Sequence, residues 1–594
     1  MEEFTMRKNI TLFILKVLSK TDIKDFILII SFNSISCIIP LVCTKLVSNI
    51  VSLFTGDVLL NKNALLLTTF GYLLLNILLQ IIQPIQEFVH QRFQDKVGAT
   101  SEEMLYRKIN SFKGIDCFEN HEFYNKLLLA KNGSGIRFIS ITDMFTSVFC
   151  GIITVIITSV YLVQVHWGIA AIALLSIFPA TVYNFWAAKN RLSLFRSQSE
   201  PARKLQYFGE LFTQANYTKE MHLFNLGAYI INKYKELFAC EFARINTERK
   251  KHALVGVACT TFSAFLSGTA LFMYIQAALT KRVEAGSIVL YISLLPQFVN
   301  GLRAIINGIT QTKVNNNYVQ HFVDFLNLEI PQKGDKLLCD SIKSIVFENV
   351  SFKYPGSDKY ALKNVSFSCL APQLVAIVGE NGSGKSTLIK LLLDLFSPDS
   401  GKILVNNENL QNLNIDCYRN AVSGVFQSPA KFAFSVNENL KLADVEADIS
   451  QDMIISACET ASADEFISQL PDKYETILGK QFRGGTEISD GQWQKLSLAR
   501  AICSNADMMI FDEASADLDP KAEHMFYRCI KEYAKDKLTF YITHRLSGTK
   551  DADLILVMNN GQLVESGTHK ELIEADGIYK KLYFMQADGY KASK

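Results

Sequence analysis

Long apolar runs separated by polar gaps fill the first half of this chain. A helix needs roughly 20 apolar residues to cross a hydrocarbon core of about 30 Å. The pattern therefore predicts an all-α membrane domain over residues 26–327. Its six spanning runs are Phe26–Val47, Ala64–Pro84, Met144–Val165, Gly168–Ala188, Leu254–Leu279 and Ser287–Ile306.

The polar gaps between these runs are unequal, and their charge predicts an orientation. The two long gaps, Ile85–Asp143 and Lys189–Ala253, hold about twenty Lys and Arg residues, which mark the cytoplasmic side of a membrane protein. We therefore expect both gaps and both chain ends to face the cytoplasm. Pro and Gly are sparse in the gaps, which favours spanning helices that continue beyond the bilayer over two separate soluble insertions.

The segment before the first run is amphipathic. Ile10, Phe13, Val17 and Leu18 share one helical face, and lysines lie on the others. Residues 1–25 are therefore predicted to form a helix in the cytoplasmic membrane interface, with a helix packed on the core as the alternative. No short apolar run with a small-residue cleavage site begins the chain, so no removable signal peptide is expected.

Composition adds three constraints to this pattern. Of the 594 residues, 49% are apolar and only 20% are charged, which is typical of a partly lipid-embedded protein. The net charge of +2 gives no reason to expect a nucleic-acid partner. The 12 cysteines include no CxxC pair, which favours reduced thiols over a zinc or disulfide framework.

The pattern changes after Asn327 to that of a soluble α/β domain. Residues 328–343 contain Pro331 and Gly334 and are predicted to be a linker. Residues 344–594 alternate short apolar runs of strand and helix type. The predicted strands are Ser344–Lys353, Leu374–Val378 and Met508–Phe511, and the predicted helices are Thr387–Leu395 and Trp493–Cys503.

The strongest chemical signal is a glycine-rich loop between a predicted strand and helix. It matches G-x-x-x-x-G-K-[ST], and its residues are Gly379, Glu380, Asn381, Gly382, Ser383, Gly384, Lys385, Ser386 and Thr387. Backbone N–H groups in such a loop, together with the helix N-terminus, bind phosphate oxygens. Lys385 can reach the β- and γ-phosphates, and the Ser386 hydroxyl can bind Mg²⁺. The loop therefore predicts a site for ATP and Mg²⁺.

A second apolar strand, Met508–Phe511, ends in two acidic residues. Asp512 is expected to hold Mg²⁺ through water, and Glu513 is expected to polarise the water that attacks the γ-phosphate. An apolar strand that ends in acids is weak support for a nucleotide site by itself. Its position downstream of the glycine-rich loop makes the pair specific.

Together these motifs resemble the ATPase domain of ABC transporters over residues 344–585. The segment Ile488-Ser489-Asp490-Gly491-Gln492 resembles the signature motif, and Ala516–Asp519 resembles the D-loop. Gln427 matches the Q-loop, His544 the switch histidine, and Tyr354 the aromatic that stacks on adenine.

The resemblance also implies roles for these residues. Lys385 and Mg²⁺ would neutralise charge, Glu513 would act as the base, and His544 would steady the transition state. Gln427 is expected near the metal, together with Ser386 and Asp512. Because two ATPase domains of this family close head to tail, Ser489, Gly491 and Gln492 are expected to meet ATP held by a second chain.

Asp490 departs from the family pattern, which usually has glycine at that place. A carboxylate beside a triphosphate is unfavourable unless it points away. The substitution either slows one site of a heterodimer or is simply tolerated. Because Glu513 is intact, an active ATPase is expected.

Six spans before one ATPase domain resemble the exporter branch of the family. The resemblance implies a multi-pass protein of the bacterial inner membrane that works as a dimer of half-transporters, with a homodimer favoured and a heterodimer possible. Phe118–Tyr124 and Lys219–Phe224, one in each long gap, resemble the coupling regions of bacterial peptide and bacteriocin exporters.

Polar residues in the second run share one helical face. They are Asn76, Gln80, Gln83 and Glu87, and Asn300 and Arg303 add polarity near the sixth run. Such residues are costly against lipid. Asn76, Gln80, Gln83 and Arg303 are therefore predicted either to line a wet cargo cavity or to bond neighbouring helices.

The function expected from these features is ATP-driven export by alternating access. A peptide is the favoured cargo, with small hydrophobic compounds and lipids as alternatives. A different class, an ABC protein that works as a channel or sensor without pumping, is disfavoured by the intact Glu513 and His544. About 25 residues precede the first span, too few for the cysteine protease of peptide-processing exporters, so another protein would trim a peptide cargo.

Overall fold

The computed structural model of this chain forms two compact units. The first unit comprises residues 1–109 and 125–328, and the second comprises residues 110–124 and 329–594. The residues that the structure describes are 23–55, 62–133, 135–165, 199–279, 285–330, 333–338, 340–513, 520–591 and single positions between 175 and 187.

Helices account for the described part of the first unit. In chain order, the helices before residue 330 are α1 (Ile23–Thr55), α2 (Lys62–Asn110), α3 (Asp116–Glu119), α4 (His121–Gly133), α5 (Ile136–Val165), α6 (Ser199–Thr213), α7 (Ala215–Leu223), α8 (Gly227–Leu279) and α9 (Ala285–Leu326). Five of those described, α1, α2, α5, α8 and α9, are long and apolar enough to cross a membrane. The predicted span Gly168–Ala188 and the predicted interfacial helix over residues 1–25 lie almost wholly outside the described residues.

The spanning helices extend well past the apolar runs that predicted them. Helix α2 has 49 residues and α8 has 53. At about 1.5 Å per residue, each is more than twice as long as a hydrocarbon core of about 30 Å is thick. Both helices therefore continue well beyond the apolar runs that predicted them, as the prediction of extensions past the bilayer requires. Pro84, which closed the second predicted run, lies inside α2 without ending it.

The first unit packs through α1, α5 and α9. Leu41 of α1 is buried with Tyr291 and Leu294 of α9. Glycine allows α5 and α9 to approach closely, since a Cβ on Gly151 would lie 2.7 Å from the carbonyl oxygen of Gly301. Small residues at such crossings are the usual means of packing helices in membranes.

The second unit contains ten strands in two sheets within the described residues. The strands are β1 (Ser344–Phe352), β2 (Leu362–Leu370), β3 (Gln373–Gly379), β4 (Ser400–Val405), β5 (Glu408–Asn409), β6 (Val422–Val425), β7 (Met508–Asp512), β8 (Leu538–Ile542), β9 (Leu554–Asn559) and β10 (Gln562–Gly567). Its further α-helices are α10 (Lys385–Leu392), α11 (Ile415–Asn420), α12 (Val436–Lys441), α13 (Gln451–Thr460), α14 (Asp464–Ile467), α15 (Asp490–Cys503), α16 (Pro520–Ala534), α17 (His569–Glu574) and α18 (Ile578–Lys591).

The larger sheet has the order β10-β9-β3-β8-β7-β6, with neighbours parallel from β9 to β6. The smaller sheet, β2-β1-β4-β5, is antiparallel. The central strands β3, β7 and β8 are almost completely buried, as expected of parallel strands covered on both faces. Each predicted strand and helix of this region is confirmed to within a few residues at its ends.

Residues 110–124 pack within the second unit although they lie far away in sequence. The N–H of Ile115 donates to the carbonyl oxygen of Leu395 at 3.0 Å. Arg419 donates to the carbonyl oxygen of Lys113 at 2.8 Å, and Lys113 pairs with Asp416 at 2.8 Å. The segment therefore joins this unit through backbone and side-chain contacts, and it includes Phe118–Tyr124 of the first predicted coupling region.

Candidate active site

Three neighbouring parallel strands bring the candidate catalytic residues to one edge of the larger sheet. Strands β3, β8 and β7 are adjacent in that order, and their carboxyl ends lie at the same edge. The glycine-rich loop follows β3, Asp512 and Glu513 end β7, and His544 comes two residues after β8. Ligands of open α/β sheets bind at this edge.

The glycine-rich loop needs glycine at the start of α10. Gly384 is the N-cap of that helix and has a φ of 105°, a conformation that residues with a side chain rarely adopt. A Cβ there would lie 2.7 Å from Leu362 Cδ2 and 2.9 Å from the carbonyl oxygen of Ala361. The loop is therefore fixed so that the first N–H groups of α10 remain available to an anion.

Lys385 lies beneath this loop. It is 5% exposed, and its Nζ donates to the carbonyl oxygens of Gly379 and Glu380, both at 2.9 Å. Burial lowers the pKa of Lys385, while the charges of Glu513 and Asp512 act in the opposite direction. A cation held among acids and phosphate-binding amides is suited to the β- and γ-phosphates of a nucleotide.

Asp512 meets the chemical requirements of a divalent-cation ligand. Its Oδ1 atom is buried and has no hydrogen-bond partner among the described residues. Burial raises the pKa of Asp512, as does the charge of Glu513, whereas Lys385 and the Ser386 hydroxyl lower it. A buried carboxylate oxygen next to a serine hydroxyl supplies the hard oxygen ligands that Mg²⁺ prefers. Gln427, exposed just beyond β6, follows the strand next to β7.

Glu513 and His544 are in direct contact. The Nε2 atom of His544 pairs with Oε1 of Glu513. Glu513 has a φ of 49°, and its N–H donates to the carbonyl oxygen of Ile542 on β8 at 3.2 Å. The strand therefore ends just before Glu513, whose carboxylate contacts the imidazole of His544 and lies close enough to Lys385 to oppose the lowering of its pKa by burial.

Tyr354 is positioned by aromatic neighbours and by α10. Its ring contacts Phe352 and Phe396 edge to face, with centroids at 5.2 and 5.4 Å. Its hydroxyl lies 3.0 Å from the hydroxyl of Thr387, the last residue of the glycine-rich loop. Because the loop residue Thr387 holds this ring, an aromatic surface lies close to the expected phosphate site.

The candidate signature motif begins helix α15. Ser489 is the N-cap: its hydroxyl accepts from the N–H of Gln492 at 3.3 Å, and its own N–H donates to the Gln492 side chain at 2.9 Å. Ser489 and Asp490 are exposed, and the positive end of the helix dipole at this N-terminus favours anions.

Asp490 forms an ion pair with a lysine outside the motif. Its Oδ1 lies 2.5 Å from Nζ of Lys431, and both side chains are exposed. Exposed pairs stabilise a fold by at most about 1 kcal/mol. The pair instead lowers the net charge at the start of α15. Phe432, the next residue, lies 5.4 Å from the guanidinium of Arg500 on the same helix, so this segment contacts α15 at two levels.

Comparison with known proteins agrees with this geometry. A model of the family described as ABC transporter matches residues 362–516. A putative ABC transporter ATP-binding protein of Mycoplasma genitalium is 30% identical over 446 residues, which cover 72% of this chain and 73% of that protein. The chain belongs to the ABC transporter family.

Other relatives match at different lengths. The subtilin transport ATP-binding protein of Bacillus subtilis is 29% identical and covers 96% of this chain and 94% of its own length. An ATP-dependent lipid A-core flippase of Haemophilus influenzae is 34% identical but covers 52% of each chain. A solved structure of a bacterial Atm1-family ABC exporter with ATP bound has the same fold, with a TM-score of 0.77, 20% identity, and 96% of this chain and 100% of that chain covered.

This chain is therefore an integral membrane ABC transporter protein with an ATPase domain that binds ATP, and it has the fold of an ABC exporter. Of the predicted site residues, the structure brings together the glycine-rich loop, Asp512, Glu513 and His544. The predicted D-loop, Ala516–Asp519, lies outside the described residues. Sequence analysis missed Lys431, because no local pattern links it to Asp490, which lies 59 positions away.

The predicted polar residues of α2 differ in whether they bond α1 or are exposed. Asn76 donates to Cys43 Sγ of α1 at 3.7 Å and to the carbonyl oxygen of Tyr72 at 2.9 Å. Gln80, Gln83 and Glu87 are exposed on the same helix, and Arg303 is exposed on α9.

One residue of α2 that bonds two residues of α1 was not predicted. Gln86 accepts from Ser36 at 2.8 Å and donates to Asn33 at 3.1 Å. Hydrogen bonding between α2 and α1 therefore extends beyond the four residues of the predicted face.

Proposed function

We propose that this exporter moves a peptide from the cytoplasm across the bacterial inner membrane as a dimer, with ATP hydrolysis as the energy source. The observation that carries the ATPase mechanism is the grouping of Lys385, Asp512, Glu513 and His544 at the ends of β3, β7 and β8. The long match to the subtilin transport protein supports peptide cargo. The lipid A-core flippase match, which covers about half of either chain, supports lipid less strongly.

Each residue at this edge has a distinct proposed task. Lys385 leaves the carbonyl oxygens of Gly379 and Glu380 to bind the β- and γ-phosphates. Asp512, Ser386 and Gln427 would hold Mg²⁺, which would neutralise charge on the phosphates when bound. Glu513 takes a proton from the attacking water, and His544 donates a hydrogen bond to the γ-phosphate oxygens.

A second chain completes each site in this proposal. The N-terminus of α15 carries the Ser489–Gln492 capping box and favours anions. Ser489 and Gly491 of one protomer would contact the γ-phosphate held by Lys385 of the other. A dimer of identical chains is the simplest assembly, and both of its sites would contain Lys431 beside Asp490.

The cargo path is proposed along the exposed polar residues of the first unit. Gln80, Gln83 and Arg303 expose polar groups on spanning helices, where polarity is costly against lipid. Asn76 is bonded to α1 and would contribute less. We also propose that the Lys- and Arg-rich gaps, the chain ends and the second unit lie on the cytoplasmic side of the membrane.

Transport by purified protein in vesicles tests the proposal. Inside-out proteoliposomes are supplied with MgATP and a labelled leader-bearing peptide, and a labelled lipid is assayed in parallel. Peptide accumulation that needs ATP and is abolished by Glu513→Gln is expected. Lipid movement without peptide movement would favour a flippase, and cargo flux down its gradient without hydrolysis would indicate a channel.

A further inference from the structure

The last helix of the chain holds the loop that carries the candidate switch histidine. Gln586 of α18 bonds two backbone groups on either side of Arg545. Its Oε1 accepts from the N–H of Leu546 at 2.9 Å, and its Nε2 donates to the carbonyl oxygen of His544. One amide therefore bridges the backbone of the histidine itself and the backbone two residues later.

The remainder of this loop is held from the sheet side and by a second residue of α18. The Thr543 hydroxyl accepts from the N–H of Arg545 at 2.9 Å. The buried Tyr579 hydroxyl lies 2.7 Å from the hydroxyl of Thr549. Tyr579 and Gln586 are seven positions apart, so they share a face of α18. Helix α18 thus contacts this loop through Tyr579 and Gln586, and among the described hydrogen bonds of α18 the one to His544 comes from Gln586.

The bridge affects the imidazole through the backbone. The ring of His544 is 40% exposed and contacts the Glu513 carboxylate, so few side-chain contacts orient it. Its direction depends on the backbone torsions of residues 543–546, and two hydrogen bonds from one rigid amide restrict those torsions. A group that orients a catalytic side chain typically changes activity when removed, even without touching the substrate.

We propose that Gln586 is a positioning residue for His544. It fixes the backbone of residues 543–546. The imidazole of His544 then stays in contact with Glu513 and faces the γ-phosphate site. The proposal rests on the function proposed above for His544. It assigns to the C-terminal helix a role in ATP hydrolysis that none of the sequence motifs indicated.

The alternative is that Gln586 only helps to dock α18. Tyr579→Phe separates the two roles, because it removes the hydroxyl that meets Thr549 and His569 but leaves the Gln586 bridge in place. Met585→Ala, at an exposed position next to Gln586, is the control for a substitution on α18 without either contact.

The experiment measures kcat and KM for MgATP hydrolysis, and melting temperature, on full-length protein in nanodiscs. Gln586→Ala is expected to lower kcat about tenfold and to leave the KM for ATP nearly unchanged, because the glycine-rich loop is untouched. Gln586→Glu keeps the acceptor for Leu546 but loses the donor to His544, so kcat should fall as in Gln586→Ala. Tyr579→Phe should lower the melting temperature while kcat stays near that of the wild type.

A double substitution relates the effect to the histidine. In a His544→Ala background, Gln586→Ala should cause no further loss, because residues that act as one unit are not additive. A wild-type kcat in Gln586→Ala would overturn the positioning role. So would a loss of kcat in Tyr579→Phe as large as that in Gln586→Ala, because kcat would then follow the docking of α18. If His544→Ala itself hydrolyses ATP normally, the proposed role of His544 fails instead.

Discussion

The two units of this transporter expose and bury apolar side chains in opposite ways. In the second unit, the central strands β3, β7 and β8 are buried on both faces. In the first unit, Leu67 of α2 is 74% exposed. In the most apolar stretch of that helix, only 6% of the residues are buried. Many exposed apolar side chains along one helix are compatible with lipid, whereas a soluble domain rarely exposes so large an apolar surface.

The two units also differ in how far the sequence predicts the contacts of their polar residues. In the second unit, Lys385, Asp512 and Glu513 lie in short sequence motifs. In the first unit, Gln86 bonds Ser36 and Asn33 of α1 while Gln80, one turn and a half away, is exposed. Spacing along a helix identifies a face, but it does not tell whether another helix or an open space covers that face. Four predictions test this contrast.

The largest effect is expected at the base. Glu513→Gln should lower kcat for ATP hydrolysis at least about a hundredfold, because an amide cannot accept the proton of the attacking water. Nucleotide binding and a closed dimer should persist, as measured by fluorescent-ATP titration and by crosslinking of the two ATPase domains. Lys385→Ala is the contrasting variant, because it should weaken ATP binding as well as hydrolysis. Hydrolysis at the wild-type rate in Glu513→Gln would contradict the role of Glu513.

Tyr354→Ala should act mainly on ATP affinity. Loss of an aromatic surface beside Thr387 should raise the KM for ATP by a factor that corresponds to about 1–3 kcal/mol of stacking, with a smaller change in kcat. Steady-state kinetics over a range of ATP concentrations measure both constants. Tyr354→Phe removes the hydroxyl but keeps the ring, so it should retain most of the affinity. An unchanged KM in Tyr354→Ala would show that another group stacks on adenine.

Lys431→Ala should lower ATPase activity a few-fold, because it removes the positive charge that offsets the Asp490 carboxylate where the phosphates of a second chain are proposed to bind. An exposed pair is worth at most about 1 kcal/mol, so the effect should be modest at low salt and smaller at high salt. The double variant Lys431→Ala with Asp490→Gly should recover activity. Failure of Asp490→Gly to rescue would mean that Lys431 acts elsewhere.

The smallest effects are expected in the first unit. Gln86→Ala should lower the stability of the detergent-solubilised protein, by about 0.6 kcal/mol for each lost interhelical hydrogen bond, and should leave cargo stimulation intact. Gln80→Ala should leave the melting temperature unchanged and alter cargo-stimulated ATPase activity. Both quantities are to be measured on the same preparations. Normal stimulation in Gln80→Ala and Gln83→Ala together would remove the exposed face from the cargo path.

Much of the second unit follows from the sequence because its signals are local. The glycine-rich loop needs nine consecutive residues and a strand before it, and these conditions can be read without a tertiary structure. Buried parallel strands such as β7 are continuous apolar runs, so their positions were predicted closely. The spanning helices were recognised for the same reason, since a bilayer requires a long apolar run.

The end points of those helices and the long-range polar pairs were decided only by the tertiary structure. Helix α2 continues past Pro84 to Asn110. Its later residues are mostly polar, so the apolar run did not show where the helix ends. The pairs Lys431–Asp490 and Gln586–His544 join residues 59 and 42 positions apart. Hydrophobic periodicity reports which face of an element is buried, whereas polar contacts between distant segments depend on how the elements pack, so the sequence alone could not show them.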